Sequence, residues 1–205
     1  MPAPDIQKEV EKAVKELMRL KDRVLPVKVG RAVRDSVREN FRKGSFYGEP
    51  WKVPLRTGIG FDGPGYGTLL SGRNHLMMST DYIPEPGRVK IQNTLIYAEI
   101  HNEGGEITVT KKMKSYFWSQ YYKKGLVGGM YSQAKGKKNQ QKADTFNKEA
   151  EFWRNMALKK VGSKIKIPKR QFLGEHPEVD RIVKDIINQE LQNFIANGIS
   201  TRRSR

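Results

Sequence analysis

An α+β fold, with a small antiparallel sheet packed by N-terminal and C-terminal helices, is what this sequence predicts. Three observations carry it. Apolar residues recur at helical spacing at both ends of the chain. Short alternating segments bounded by Gly-rich turns fill the middle. A strongly basic stretch rich in Gly, Lys and Gln then interrupts the pattern and reads as a partly helical insertion. At 205 residues the chain is read as a single domain, 1–205, with the basic insertion at 111–163 inside it.

Ile6, Val10, Val14 and Leu17 share one helical face and predict a helix over 5–23, its apolar stripe expected in the core. Leu25-Pro26 is expected to interrupt it. Val29, Val33, Val37 and Phe41 repeat every four residues and predict a second helix over 27–42, stopped by Lys43-Gly44-Ser45. Residues 45–67 are rich in Gly, Pro and aromatics and read as a long loop, with Trp51 anchoring it to the core. Short apolar segments follow at Leu69-Leu70 and at 76–79. Residues 87–92 alternate as a half-buried strand does, 95–100 and 107–110 are further strand candidates, and Gly104-Gly105 allows a tight reversal between them. Neighbouring short strands of this kind favour an antiparallel meander.

Residues 111–122 hold Met113, Tyr116, Phe117, Trp118, Tyr121 and Tyr122 and suit a short helix, whereas 123–142 offer little apolar surface and are expected to be mobile until something orders them. Asp144 is placed to cap a helix running to residue 160, with Phe146, Ala150, Trp153 and Ala157 on one face and Gly162 closing it. Residues 164–167 alternate into Pro168 as a last strand. Ile182, Ile186, Ile187, Leu191, Phe194 and Ile195 define a helix over 177–196, and 200–205 form a basic tail.

The net charge is +17 and the pI about 10.0, which calls for a polyanionic partner, most simply nucleic acid. The charge is concentrated: residues 111–170 carry 17 Lys and Arg against 3 Asp and Glu. A membrane partner is disfavoured, because the basic residues do not border one face of an apolar helix and no run is long enough to span a bilayer. Met1-Pro2-Ala3-Pro4 leads into a charged helix rather than a signal peptide, and the absence of cysteine removes disulfides and thiolate metal sites. These features fit a cytoplasmic protein or a virion part assembled in the cytoplasm.

No catalytic set is legible, and no cofactor or metal is expected. His75, His101 and His176 lie far apart. A zinc or general-base reading of His101 beside Glu99 and Glu103 needs more ligands than the local sequence supplies, and the competing reading is a hydrogen-bonded histidine beside the Gly104-Gly105 turn. Gly58-Ile59-Gly60 and Gly63-Pro64-Gly65 lack the Lys-Ser/Thr that completes a phosphate loop. The basic stretch has two readings: a solvated surface, or a DNA-facing one in which Lys123, Lys124, Lys135, Lys137, Lys138 and Lys142 meet phosphates without reading sequence.

Two short patterns bracket this stretch: Tyr97-Ala98 with Ile100-His101-Asn102 and Gly104-Gly105, then Ile167-Pro168, Arg170 and Phe172-Leu173-Gly174. Taken with Trp51, the Leu70-Ser71-Gly72 segment and the strand around Lys90, this order of features resembles the phage virion morphogenesis family of Mu-like prophages, related to the tail-completion proteins of long-tailed phages. The resemblance spans roughly residues 27–195. It implies a structural part of the head–tail joint, or neck, that catalyses no reaction, forms a ring, with sixfold symmetry matching a tail tube, and contacts other neck and tail proteins. Packaged DNA is a further expected partner. Trp51, Tyr97, His101, Gly104, Gly105, Pro168, Arg170, Phe172 and Gly174 are the structural motif residues this resemblance singles out. Tyr97 is expected on a strand with its ring on the sheet. Arg170 is expected to pair either within its own domain or with a neighbouring subunit. The alternative function is a nonspecific nucleic-acid-binding protein outside any virion.

Overall fold

The computed structural model of the protein describes residues 6–54 and 67–203. The glycine clusters at 58–60 and 63–65 and the last two residues of the basic tail lie outside them. The chain forms two compact units interleaved in sequence. One is Met1–Glu49, His75–Leu95 and Phe172–Arg205; the other is Pro50–Asn74 and Ile96–Gln171. The α+β prediction holds: the described residues are mostly helical, with small antiparallel two-stranded sheets and helices at both ends.

In the first unit, α1 (Ile6–Arg19) runs through a π-helical turn (Leu20–Val24) into α2 (Leu25–Lys43). The expected break at Leu25-Pro26 does not occur. Leu25 N–H bonds to Leu20 O, five residues back, and this wider turn makes room for the ring of Pro26 in the first turn of α2. Val29, Val33, Val37 and Phe41 are buried, as their spacing predicts. The α1 stripe is not: Ile6, Val10, Val14 and Leu17 are all exposed, and α1 buries no residue. Amphipathic spacing made α1 a helix, but no element of the unit covers its apolar face. Gly44 ends α2 in the left-handed region (φ 66°), its N–H reaching Asn40 O and Phe41 O.

After α2 comes the minimal hairpin β1 (Ser45–Phe46) and β2 (Glu49–Pro50), and then α3 (His75–Met78). The α2 helix packs on a hairpin of β3 (Thr80–Glu85) and β4 (Arg88–Asn93), in register from Thr80 opposite Asn93 to Glu85 opposite Arg88. Contact with the hairpin is closest at Gly30, where a Cβ would lie 2.3 Å from Tyr82 Cδ2 and 2.8 Å from Val89 Cγ2. A buried polar network fastens the other end. The Thr80 hydroxyl donates to Leu76 O (3.2 Å), Asn93 Nδ2 donates to Leu76 O (2.6 Å) and to Thr80 Oγ1 (2.9 Å), and the Arg38 guanidinium donates to Thr80 O (2.9 Å). Helix α7 (Pro177–Arg203) lies along α2, tied by the Lys28–Glu190 ion pair (2.6 Å). Phe41 meets Phe172 at 5.1 Å between ring centroids, and both are 0% exposed.

The second unit contains α4 (Ala98–Glu103), β5 (Gly105–Thr108), α5 (Lys111–Gln133), α6 (Lys137–Leu158) and β6 (Lys164–Ile167). Three expectations are corrected here. Residues 95–100 are a turn and the start of α4 rather than a strand: Asn93 Oδ1 accepts from Leu95 N–H and turns the chain out of β4. The strands form no meander. β5 pairs with β6, remote in sequence, in register from Gly105 opposite Ile167 to Thr108 opposite Lys164. And 123–142 is a helical hairpin, with α5 and α6 joined by residues 134–136. Asp144 therefore lies inside α6, accepting from Gln140 Nε2, rather than capping it.

The hairpin folds because each helix offers the other an apolar face despite its charge. Phe117 stacks on Trp153 (5.8 Å) and Tyr131 on Phe146 (5.6 Å, 4° between planes). Ala143, Ala150 and Ala157 are buried between them. Gly128 permits the close approach, since a Cβ there would sit 2.5 Å from Asn147 Oδ1. Thr110 caps α5 by accepting from Met113 N–H, and the base of the hairpin is closed by Val109 N–H to Ser163 O (2.8 Å) and Gly162 N–H to Val109 O (2.9 Å).

Gly30→Val tests the α2 contact. A branched side chain has no room against Tyr82 and Val89, and overpacking of this kind costs about 1–3 kcal/mol. Thermal unfolding of the variant should shift down by several degrees, whereas helix propensity alone, which favours Val over Gly, predicts a rise.

Candidate functional site

The first of the two patterns and residues 167–171 of the second come together in the second unit. Gly104, at the end of α4, has φ 75°, and a Cβ there would stand 2.7 Å from Lys169 N and 3.1 Å from Ile167 O. Only glycine lets the Gly104-Gly105 turn lie this close to the chain leaving β6. Arg170 then locks the two strands of chain to each other. Its backbone N–H donates to His101 O (2.8 Å), and its side-chain Nε donates to Lys52 O (2.7 Å). Arg170 is 7% exposed. One residue later Gln171 O accepts from the Trp51 indole N–H at 2.7 Å, and Trp51 is buried as well. Four segments, at Trp51-Lys52, His101, Gly104 and 167–171, thus form one clasp.

The remaining motif residues divide between the two units. Tyr97 is half exposed, its ring edge-on to that of His101 with 6.0 Å between centroids. It precedes α4 instead of lying on a strand, so its expected role on a sheet is corrected. Gly105 opens β5 at φ 148°. Pro168 follows β6 directly, where the strand needs no further N–H. Phe172 is the fully buried partner of Phe41 in the first unit, and Gly174 (φ 148°) turns the chain towards α7.

Charges frame the clasp on its exposed side. Lys169 Nζ is 3.2 Å from Glu103 and Lys164 Nζ is 2.7 Å from Glu106, which bridges β5 and β6. Hydrogen bonds from these lysines hold both glutamates below the usual carboxylate range. A depressed carboxyl contributes to the fold above its unfolded-state pKa. That contribution is lost as pH falls through the lower, folded value. These pairs, absent from the sequence reading, had the signal of oppositely charged residues at either end of two strand candidates.

The six lysines assigned to a DNA-facing surface divide. Lys124 Nζ lies 2.5 Å from the buried Glu149 and 5.2 Å from the Phe146 ring, within the hairpin. Lys142 Nζ lies over the Tyr131 ring at 5.1 Å. Lys135, Lys137 and Lys138 gather at the hairpin tip and are exposed, as is Lys123 on α5. Helix α5 also presents Tyr122, Leu126 and Met130 on an exposed face, which sequence reading missed because it treated half of that helix as unstructured. Among the described residues no three His, Asp or Glu side chains gather to hold a metal ion, and no helix is long and apolar enough to cross a membrane.

The model of the phage virion morphogenesis family matches residues 5–192. This chain belongs to that family. The match runs through both units and covers the clasp, the basic hairpin and most of α7, so the hairpin is part of the matched length. A search of curated proteins and a search of solved structures matched nothing. Membership gives the protein a structural or assembly role in the phage virion.

Three measurements check the clasp of this virion morphogenesis protein. Trp51→Ala should destabilise it by about 3–5 kcal/mol, as loss of a buried Trp does. Arg170→Ala, which strips charged hydrogen bonding from Lys52 O, should cost about 1.5–3 kcal/mol in chemical denaturation. In an NMR pH titration Glu103 and Glu106 should titrate below an unpaired glutamate, and Lys169→Gln should move Glu103 back up while leaving Glu106 in place.

Proposed function

We propose that this protein is a structural component of the phage head–tail joint, a ring-forming tail-completion or neck protein that catalyses no reaction. One observation carries the structural reading: the polar groups of its motifs are spent on its own backbone. Arg170 and the Trp51 indole, the side chains best suited to a ligand, both donate to main-chain carbonyls of the same unit. Such residues hold a shape and leave no reactive group aimed into a cleft. The shape they hold is the base of a charged hairpin whose helices are each about 33 Å long at 1.5 Å per residue.

The hairpin tip supports a contact with packaged DNA. Lys135, Lys137 and Lys138 stand within a few residues of one another, and helix α5 carries no acidic residue. In a ring the same tip recurs around one duplex, so that weak phosphate contacts add. Ammonium groups on flexible stems also let DNA slide, where the fixed fork of arginine would grip.

Deleting the gene from an active phage should leave filled heads and tails unjoined, or tails of abnormal form; normal infectious particles would overturn the proposal. Replacing Lys135, Lys137 and Lys138 with Gln should flatten the salt dependence of DNA binding by the assembled protein. If salt dependence and DNA retention both stay normal, the tip meets a protein neighbour instead. DNA binding of full strength by the isolated monomer would favour a nucleic-acid-binding role outside the virion.

A further inference from the structure

Two exposed apolar faces lie uncovered on the described chain, and their charges are complementary. The first is the stripe of α1, where Ile6 is 72% and Val10 55% exposed and Val14 and Leu17 follow. At about 100° per residue, Glu9 and Glu16 border this stripe on one side and Glu11 on the other, while Lys8, Lys12, Lys15 and Arg19 all fall on the back of the helix. The second is the outer face of α5, where Leu126 and Met130 are each 72% exposed beside Tyr122. Lys123 borders that face, Lys111 and Lys114 lie in the first turn of the same helix, and α5 has no acidic residue to oppose them. Tyr122 is held flat by stacking against Trp118 (5.9 Å, 27°), so the face is ordered before any partner arrives.

Glycine usage on α5 agrees. Gly128 is accounted for by Asn147, but a Cβ at Gly125 or Gly129 would meet nothing within 4 Å. Glycine inside a helix costs roughly 1 kcal/mol relative to alanine. Among the described residues nothing uses the space these two leave beside Leu126 and Met130. A ridge of side chains spaced four apart, as on α1, fits a groove of that kind.

We infer that α1 of one copy docks on the outer face of α5 of a second copy of this chain. A second copy is the occupant because its α1 offers what the face lacks: an apolar ridge of matching spacing with carboxylates on both borders. Pairing α1 with α1 would set glutamates against glutamates, and pairing α5 with α5 would set lysines against lysines. The contact is heterologous, using a different surface on each partner, and such contacts propagate head to tail and close into a ring when the rotation allows. The inference deepens the ring reading of the proposed function and rests on it.

The chain has no cysteine, so single cysteines report the contact without background. Full-length Val10→Cys and full-length Leu126→Cys are prepared separately, mixed, and oxidised. The mixture should give a disulfide-linked dimer that neither protein gives alone, and the double variant should give a ladder of covalent oligomers. Changing Glu9, Glu11 and Glu16 to Lys on the Val10→Cys chain should cut the yield at least tenfold, and changing Lys111, Lys114 and Lys123 to Glu on the other chain should restore it. Cross-linking of Val10→Cys with itself would overturn the inference in favour of an α1 pair. An exclusively internal disulfide in the double variant, or rings that form with no link in the mixture, would also overturn it, as would the absence of both link and oligomer. If the link forms but the gene deletion leaves phage infectious, the contact stands and the head–tail reading falls.

Discussion

The buried guanidinium of Arg170 is the constraint on which the second unit depends. Burying a charge is costly unless its hydrogen bonds are met. Here the Nε proton finds the carbonyl of Lys52 while the backbone N–H of the same residue finds that of His101. One residue therefore specifies the positions of two others more than sixty residues away. The Trp51 indole repeats the logic one step along, against Gln171 O. Gly104 makes the geometry reachable, because any side chain would strike the backbone at Ile167 and Lys169.

With its ends held by the clasp and by the Val109 pairing, the long insertion between them folds as a helical hairpin. Its charge does not prevent this. Basic residues are tolerated where they are paired inside, as Lys124 is with Glu149, or where they project to solvent at the tip. Aromatic stacking supplies the interior, and Gly128 sets how near the helices come. The result directs the positive charge of Lys135, Lys137 and Lys138 outward at the hairpin tip.

Polar side chains in both units donate to main-chain carbonyls: Arg38, Thr80 and Asn93 in the first unit, Trp51 and Arg170 in the second. Among the described residues, large apolar side chains stay exposed along the helix faces of α1 and α5. Unsatisfied apolar faces call for neighbours of macromolecular size, as expected of a virion morphogenesis protein.

Local pattern alone determined a good deal. The α+β class, α2 with its buried Val29, Val33, Val37 and Phe41, the strands at β4 and β6 and the start of α7 all follow from period and turn chemistry, which act over a few residues. The motif residues were legible as a group, and so was the family. Only the tertiary structure decided what those patterns face. The α1 stripe obeys the helical period yet stays exposed, because period records amphipathicity and says nothing of whether a partner lies in the same chain. Residues 123–142 look too polar to order, yet 123–133 continue α5, where α6 sets Phe146 against Tyr131 and Glu149 against Lys124. Likewise β5 finds β6 across the whole hairpin, a pairing set by loop closure and by Arg170 rather than by anything within either strand.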